Sequence, residues 1–118
     1  MPKVMIVDDD RTNSGLLRTL LELDGFEVIL APDGSSALAK AQAAMPDAFL
    51  VDFHLSDIEG TEFVRQLRAL EAFSRSLVIV ASGMERKEEA LAAGADFFLY
   101  KPYDLDVLLG LLRSRLAG

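Results

Sequence analysis

The sequence predicts an α/β fold in which five parallel strands alternate with five helices in one doubly wound domain. Short apolar runs of four or five residues alternate along the chain with stretches of helical periodicity. These runs are continuous, which is typical of strands buried on both faces of a parallel sheet. The chain has 118 residues, 51% of them hydrophobic, which is enough for one core. We therefore expect a single domain over residues 1–118.

Three strands and two helices are predicted in the first half of the chain. The run KVMIV predicts a strand over residues 3–7. An apolar stripe that ends at Gly25 predicts a helix over 12–24. We expect its inward side chains to be Leu16, Leu17, Leu20, Leu21 and Leu23. The segments that follow are a strand over 26–30, a turn at Pro32-Asp33-Gly34, an Ala-rich helix over 35–45 that Pro46 ends, and a strand over 48–51.

The second half continues the alternation. A loop over residues 52–60 leads into a helix over roughly 60–71, with Phe63, Val64, Leu67 and Leu70 inward. The remaining predicted elements are a strand over 77–81, a short helix over 85–93 closed by Gly94, an edge strand over 96–100 and a helix over 104–117. The last helix has more leucines than one buried face needs, namely Leu105, Leu108, Leu109, Leu111, Leu112 and Leu116. Packing is the first explanation, and a partner or homodimer patch is the second.

Composition excludes several functional classes. The formal net charge is −7 and no basic block is present, which argues against direct nucleic-acid binding. The chain has no cysteine, so it has neither a disulfide nor a thiolate metal site. Its first residues lack a secretory signal pattern, and its apolar runs are too short to span a bilayer. We therefore expect a cytoplasmic protein without membrane contact.

Chemically distinctive side chains follow four of the five predicted strands. They are Asp8-Asp9-Asp10 after the first strand, Asp52 after the third, Ser82-Gly83 after the fourth and Lys101-Pro102 after the fifth. In an open doubly wound sheet, ligands bind beyond the carboxyl ends of the strands. We therefore expect these groups to share one rim of the sheet.

Carboxylates gathered on one rim repel one another. Two unit charges ~4 Å apart cost about 4 kcal/mol at an effective dielectric constant of about 20. A divalent cation would reverse the sign of this interaction, and hard oxygen ligands favour Mg²⁺ over zinc or copper. A magnesium ion and Lys101 beside a carboxylate would form a site for phosphoryl groups, where one carboxylate could act as the nucleophile and form an aspartyl phosphate.

Each of these residues also has a simpler explanation. The three consecutive acids can cap the first helix, and Asp52 can be an ordinary loop acid. Ser82 can be a turn or cap residue, and Lys101 a solvated lysine. The joint placement of these groups at four strand ends favours the phosphoryl site over four separate explanations.

Four segments resemble the receiver domain of two-component response regulators, over essentially the full chain. They are VDDD (7–10), LVDFHLSDIEG (50–60), VASG (80–83) and AGADFFLYKPY (93–103). An acid pair, a central Asp, a Ser or Thr and a Lys-Pro pair in this order form a specific signature. The resemblance implies a flavodoxin-like sheet with strand order 2-1-3-4-5.

The resemblance also implies a metal site and a phosphoryl acceptor. Asp8 and Asp9 are similar to the family's metal-binding acid pair. Asp52 is similar to the phosphoryl acceptor, which also ligates Mg²⁺. His54 lies where the family uses a main-chain carbonyl as a further metal ligand.

Three more residues match the parts of the family that respond to phosphorylation. Lys101 resembles the lysine that pairs with the acceptor and with phosphoryl oxygens. Ser82 resembles the switch hydroxyl, and Phe98 lies at the position of the switch aromatic residue. Asp10 has no fixed role in the family, and we expect it to begin the first helix.

The resemblance implies a phosphoacceptor signalling switch. Its phosphoryl donor would be the phosphohistidine of a sensor histidine kinase or of a histidine phosphotransfer protein, with Mg²⁺ as cofactor. The phosphorylated state would present a changed face to a downstream protein target. Such a domain assists its own phosphorylation and dephosphorylation but does not turn over other substrates.

Two departures from the family pattern concern the loops around the site. Ser56 stands where the family usually has Pro, which predicts a less restrained loop after the acceptor. The stretch from Ser82 to Gly94 is about one helical turn shorter than is common in the family, so the fourth helix or the loop before it is shortened.

Other functions remain open at this point. Asp8-Asp9-Asp10-Arg11-Thr12 matches D-x-D-x-T, which resembles the first motif of haloacid-dehalogenase-type phosphatases. A flavodoxin-like FMN protein would share the sheet, but three acids would repel the phosphate of FMN. A receiver-like docking module that accepts no phosphoryl group is the third alternative.

Overall fold

The computed structural model of the protein describes residues 1–116. Strands and helices alternate in these residues, as the apolar periodicity predicts. They are β1 (Lys3–Val7), α1 (Arg11–Leu23), β2 (Glu27–Ala31), α2 (Gly34–Ala44), β3 (Ala48–Asp52), α3 (Gly60–Ala69), a short 3-10 helix (Glu71–Phe73), β4 (Leu77–Ser82), α4 (Lys87–Ala93), β5 (Phe97–Tyr100) and α5 (Leu105–Leu116). Within this part of the chain, no helix combines the length and the apolar character needed to cross a membrane.

The five strands form one parallel sheet in the order β2-β1-β3-β4-β5. This confirms the predicted fold class and the 2-1-3-4-5 order. The order of the strands changes direction at β1, so that β2 and β3 lie on opposite sides of it. The carboxyl ends of β1 and β3 therefore border the crevice where ligands bind in doubly wound sheets.

Each face of the sheet has its own apolar core. Helices α2, α3 and α4 pack on one face, with Phe49, Phe63 and Phe73 in edge-to-face contact at its centre. Helices α1 and α5 pack on the other face through a cluster of buried leucines. The central strands β1, β3 and β4 are buried on both sides, which explains why the sequence shows continuous apolar runs there instead of alternation.

Local sequence signals begin and end the helices. The Asp10 carboxylate accepts a hydrogen bond from the Asn13 N–H at 3.0 Å and is the N-cap of α1, as predicted. Asp33 caps α2 in the same way, through the Ser36 N–H at 2.8 Å. Gly94 ends α4 with a φ of 118°, a conformation that suits glycine. The predicted bounds agree with the structure to within two residues, except that residue 117 of the last predicted helix lies outside the described residues.

The predicted inward stripe of α1 is wrong at two positions. Leu16 is 61% exposed and Leu23 is 80% exposed. The buried face of α1 instead consists of Ser14, Leu17 and Leu21, which are spaced three and four residues apart. The sequence showed a leucine-rich helix, but one face of a surface helix covers the sheet and the opposite leucines remain in solvent.

Packing accounts for the leucines of α5. Leu108, Leu109 and Leu112 are buried in the core on that side of the sheet. The other three, Leu105, Leu111 and Leu116, are partly buried against the same core. The first explanation of this helix is therefore sufficient, and self-association stays a prediction.

Arg68, on α3, forms hydrogen bonds to the two segments that lead into β4 and β5. Its guanidinium donates to the carbonyl oxygens of Gly94 at 2.9 Å, Phe73 at 3.0 Å and Ser76 at 2.7 Å. It also pairs with the Asp96 carboxylate at 3.0 Å, which accepts a further hydrogen bond from a backbone N–H of β4. These bonds satisfy backbone groups that have few other partners near the ends of α3 and α4.

We expect Arg68→Ala to lower the free energy of unfolding by about 3 kcal/mol, because it leaves several partly buried acceptors without a donor. Urea unfolding monitored by circular dichroism measures this loss. Arg65→Ala is the matched control on the same helix, since Arg65 is exposed and, within residues 1–116, pairs only with Glu62 at 3.7 Å. The control should change stability by less than about 0.5 kcal/mol, and equal losses in both variants would contradict the assignment.

Candidate functional site

The parallel register places four strand ends on one rim of the sheet. Asp8 follows β1 directly, and Asp52 is the last residue of β3. Ser82 is the last residue of β4, opposite Tyr100 of β5, and Lys101 follows β5. The structure thus brings together the predicted strand-end residues, with two corrections. Asp52 is the last residue of β3, whereas the sequence predicted it just after that strand. Ser82 lies within its strand and is fully buried, whereas the sequence predicted it just beyond the strand.

Asp8, Asp9 and Asp52 form a compact acidic group at this rim. Each offers a carboxylate oxygen, and the three oxygens lie within 4.8 Å of one another. Asp8 is 9% exposed, the Asp52 side chain is 14% exposed, and Asp9 is exposed to solvent. Three hard oxygen donors at this spacing, open to water on one side, fit a magnesium ion.

Lys101 provides the positive charge of the site. Its Nζ lies 3.4 Å from Asp52 Oδ1 and 3.6 Å from Asp8 Oδ2. Its backbone N–H donates to the Ser82 carbonyl at 2.9 Å, which fixes the end of β5 against β4. The following peptide bond, Lys101–Pro102, is cis. The two Nζ distances place the ammonium group beside both Asp52 and Asp8, the two least exposed acids of the group.

Burial raises the pKa of the Asp8 carboxyl. The negative charges of Asp52 and Asp9 raise this pKa further, whereas a hydrogen bond from the Asp10 N–H at 3.0 Å and the charge of Lys101 lower it. The pKa of Asp8 is raised overall, so the Asp10 N–H and the Lys101 charge do not fully offset the effect of burying this carboxylate. Ionisation of Asp8 is therefore less favourable in the folded protein than in the unfolded chain.

Tyr103 and Ser14 lie next to the acids, although their positions in the sequence did not predict this. Together with Asp8, Asp52 and Lys101 they help to line a small cavity behind the rim. Burial, followed by the charges of Asp8 and Asp52, raises the pKa of Tyr103 to about 12, so its hydroxyl stays protonated. The Ser14 Oγ is buried and has no hydrogen-bond partner within residues 1–116. A serine in the apolar stripe of the first helix was the available sequence signal.

Ser82 and Phe98 lie on the path that leads away from the rim toward α4. The Ser82 Oγ accepts a hydrogen bond from the Met84 N–H at 3.1 Å, so the hydroxyl is engaged with the connection between β4 and α4. The half-buried Phe98 ring meets the Tyr100 ring edge to face, with 5.0 Å between centroids. The Tyr100 hydroxyl donates to the Glu85 carboxylate in the same connection. Ser82 and Tyr100 thus contact one loop from two sides, and Phe98 packs against the Tyr100 ring.

His54 lies two residues beyond Asp52 and is exposed. Its backbone N–H is 3.4 Å from Asp52 Oδ1, and it forms an isolated antiparallel bridge with Glu59. Its position beside Asp52 is as the sequence predicted, and the role of its carbonyl stays a prediction.

Comparison with known proteins gives one consistent family. A model of the family described as "Response regulator receiver domain" matches residues 4–113. The chain is 34% identical over 116 residues to the transcriptional regulatory protein TrcR of Mycobacterium tuberculosis, covering 97% of this chain and 45% of TrcR. It is 36% identical to the transcriptional regulatory protein PrrA of the same species, covering 98% of this chain and 50% of PrrA. The chain therefore spans about half the length of these curated relatives.

A solved structure also matches nearly the whole chain. The chemotaxis response regulator CheY4 of Vibrio cholerae superimposes with a TM-score of 0.90 at 33% sequence identity, covering 97% of this chain and 98% of CheY4. The chain and CheY4 are therefore similar in both fold and sequence.

In metal-free buffer near neutral pH, we expect Asp8→Asn to raise the free energy of unfolding by about 1 kcal/mol. The amide removes a buried charge, while its oxygen can still accept from the Asp10 N–H. The raised pKa means that the wild type loses stability as the pH rises through the folded-state value. The gain should therefore shrink as the pH is lowered toward 3.8, the ordinary pKa of the group.

Urea unfolding in the presence of a chelator measures this gain. Glu27→Gln is the control because it removes one negative charge from an exposed position at the opposite end of the sheet. We expect the control to change stability by less than about 0.5 kcal/mol. An equal gain in both variants would assign the effect to the net charge of −7 and contradict the local explanation.

Proposed function

The chain belongs to the response regulator receiver domain family, and on this premise we propose that it is a phosphoacceptor switch in which Asp52 receives the phosphoryl group. As a receiver domain it is a signalling protein and not a metabolic enzyme. The observation that supports Asp52 as acceptor is its position at the end of β3, 3.4 Å from the Lys101 ammonium and within the acidic group.

The proposed reaction is a phosphoryl transfer from a phosphohistidine of a partner protein. A carboxylate oxygen of Asp52 attacks phosphorus, an O–P bond forms, and the N–P bond of the phosphohistidine breaks. The electron pair of that bond returns to the imidazole nitrogen, and the ring takes up one proton from solvent, so that neutral histidine is the leaving group. Reversal occurs by hydrolysis, in which a water oxygen attacks phosphorus and the Asp52 carboxylate and inorganic phosphate are released.

Lys101 and the acids have separate tasks in this proposal. Lys101 stabilises negative charge on the phosphoryl oxygens, since its Nζ lies between Asp52 and Asp8. Asp8, Asp9, Asp52 and the main-chain carbonyl of His54 would hold Mg²⁺. When bound, the ion neutralises these carboxylates and the phosphoryl oxygens, so that a dianionic group can approach an acidic rim. The raised pKa of Asp8 agrees with a site that favours an added cation.

The response to phosphorylation is proposed to pass through Ser82. Its hydroxyl now accepts from the Met84 N–H, and a phosphoryl group on Asp52 offers strong acceptor oxygens to the same hydroxyl. Rotation of the hydroxyl toward the phosphoryl group breaks the contact with Met84 and frees the connection between β4 and α4. Phe98 packs against Tyr100, whose hydroxyl donates to Glu85 in that connection, and is proposed to adjust with it. The switch is a population shift between two states, with a coupling of about 1–3 kcal/mol.

A sensor histidine kinase or histidine phosphotransfer protein is the proposed donor, and a downstream protein is the proposed target. The proposed location is the cytoplasm, where such donors are found. The domain is also proposed to assist the phosphorylation and dephosphorylation of its own Asp52, without turnover of other substrates.

A phosphatase of the haloacid-dehalogenase type fits the site less well. In that assignment Asp8 would be the nucleophile and Asp10 the general acid–base. The Asp10 carboxylate instead caps α1 through the Asn13 N–H, and Asp8 is paired with Lys101. Sustained turnover of a phosphate ester that Asp8→Asn abolishes and Asp52→Asn preserves would favour the phosphatase over the receiver.

Incubation with acetyl phosphate and Mg²⁺ is expected to add the mass of one phosphoryl group to the wild type and none to Asp52→Ala, because the variant lacks the nucleophile. Intact-protein mass spectrometry measures the addition. Asp10→Asn is the control, since it removes a neighbouring carboxylate but keeps a good helix cap. It should be phosphorylated like the wild type. No addition to the wild type, or equal addition to Asp52→Ala, would overturn the proposal.

Beryllofluoride with Mg²⁺ mimics the phosphoryl group and should shift NMR amide signals beyond the acidic rim. In the wild type we expect shifts at Phe98, Tyr100 and the residues between β4 and α4, because Ser82 and Tyr100 contact that connection and Phe98 packs against Tyr100. In Ser82→Ala the shifts should stay near Asp52 while binding of the probe persists. Ser74→Ala is the control, because its hydroxyl donates to the nearby Glu71 carbonyl and Ser74 precedes β4, whose other end carries Ser82. Long-range shifts that survive in Ser82→Ala would contradict the role of this hydroxyl.

A further inference from the structure

The segment between Asp52 and α3, residues 53–59, is called here the acceptor loop. Its base is closed by two backbone hydrogen bonds, from the Phe53 N–H to the Ala81 carbonyl at 2.9 Å and from the Gly60 N–H to the Phe53 carbonyl at 2.6 Å. A Cβ on Gly60 would lie 2.4 Å from the Asp52 carbonyl oxygen, so glycine permits this close approach. The base of the loop is thus fixed against the strand that carries the acceptor.

The outer part of the acceptor loop is held by the carboxylate of Asp57. Its Oδ1 accepts from the Gly34 N–H at 2.9 Å, and its Oδ2 accepts from the Ser35 N–H at 2.9 Å. Its Oδ1 also accepts from the Ile58 N–H at 2.9 Å, within the loop itself. One side chain therefore ties the loop to the first turn of α2, more than twenty residues away in sequence.

Packing reinforces this tie. A Cβ built on Gly34 would lie 2.7 Å from the side chain of Ile58, so the loop sits directly on the backbone of α2 at this point. Ile58 and Leu55 are both partly buried against the core on that face of the sheet. Hydrogen bonds to backbone N–H groups also lower the pKa of Asp57, so the carboxylate stays ionised at neutral pH.

Asp57 is not needed merely to cap α2. Asp33 is already the N-cap of that helix and accepts from the Ser36 N–H at 2.8 Å. Asp57 adds bonds to the two preceding N–H groups, and these bonds reach across from another part of the chain. The acceptor loop has Ser56 and no proline, so its backbone is not stiffened by a ring. The order of the loop must come from contacts such as these.

We propose that Asp57 is a positioning residue of the phosphoryl site: by anchoring the acceptor loop to α2, it holds the main chain of His54 where a magnesium ion beside Asp8, Asp9 and Asp52 would need an oxygen ligand. Asp57 itself touches neither the acids nor Lys101 through any hydrogen bond within residues 1–116. It acts through the loop, as residues that orient metal ligands do. This inference rests on the proposed function, because it assumes that the acidic group binds Mg²⁺.

The test compares Asp57→Ala with Asp33→Ala, since both remove a carboxylate from the first turn of α2 but only Asp57 belongs to the acceptor loop. Calorimetry measures the Mg²⁺ dissociation constant, and hydrogen exchange of the amides of residues 54–59 in metal-free protein measures the order of the loop. We expect Asp57→Ala to raise the dissociation constant roughly tenfold and to speed exchange in the loop. Asp33→Ala should lower stability while leaving both quantities within about twofold of the wild type.

Asp57→Asn is measured beside Asp57→Ala because it keeps one acceptor oxygen and the shape of the side chain. It should weaken Mg²⁺ binding in the same direction by a smaller factor. An unchanged Mg²⁺ affinity in Asp57→Ala, or an equal loss in Asp33→Ala, would overturn the positioning role. Failure of the wild type itself to bind Mg²⁺ would instead overturn the proposed function, and the two failures are distinguished by the wild-type measurement.

Discussion

The repulsion among the carboxylates at the carboxyl edge of the sheet is the constraint around which this structure is arranged. Asp8, Asp9 and Asp52 present oxygens within 4.8 Å of one another, and Asp8 is largely buried. Lys101 offsets part of this repulsion from 3.4 and 3.6 Å. The pKa of Asp8 nevertheless remains raised, mainly by burial. The site therefore favours a bound cation, and it favours any further group that forms compensating contacts of its own. This balance of charges is the physical basis of a switch.

At this rim, residues at strand ends are fixed by the sheet, whereas residues in the following connections can adjust. Asp52, the proposed acceptor, and Lys101 stand at strand ends that the parallel register fixes, so their separation does not depend on a flexible segment. The connections between the strands and the following helices carry the groups proposed to respond to phosphorylation. Ser82 contacts the loop before α4, and Tyr100 reaches the same loop through Glu85. On the other side, Asp57 ties the acceptor loop to α2. The acceptor loop is thus tied to α2, whereas Ser82 is proposed to change its hydrogen-bond partner.

Much of the fold and of the site could be predicted from the sequence, and the errors have identifiable causes. Continuous apolar runs gave the five strands, because burial on both faces removes the alternation that a half-exposed strand would show. Predicted helix bounds were close where a capping residue marks them, as at Asp10 and Gly94. The predicted inward face of α1 was wrong at Leu16 and Leu23. Periodicity identifies the apolar residues of a helix, but it does not show how many of them the sheet covers. Ser14 and Tyr103 were missed because neither residue type is distinctive where it stands.

The sequence by itself determined the chemistry of this protein: which acids, which hydroxyl and which ammonium follow the strands, and in what order. These properties are local, since a residue type and its place after an apolar run can be read without knowing distant contacts. The tertiary structure decided the distances that make the chemistry usable, such as the ammonium between Asp52 and Asp8 and the engagement of Ser82 with Met84. It also showed how a loop without proline is held, by Asp57 across to α2. These contacts join residues far apart in the chain, and they exist only once the two cores have packed the helices onto the sheet.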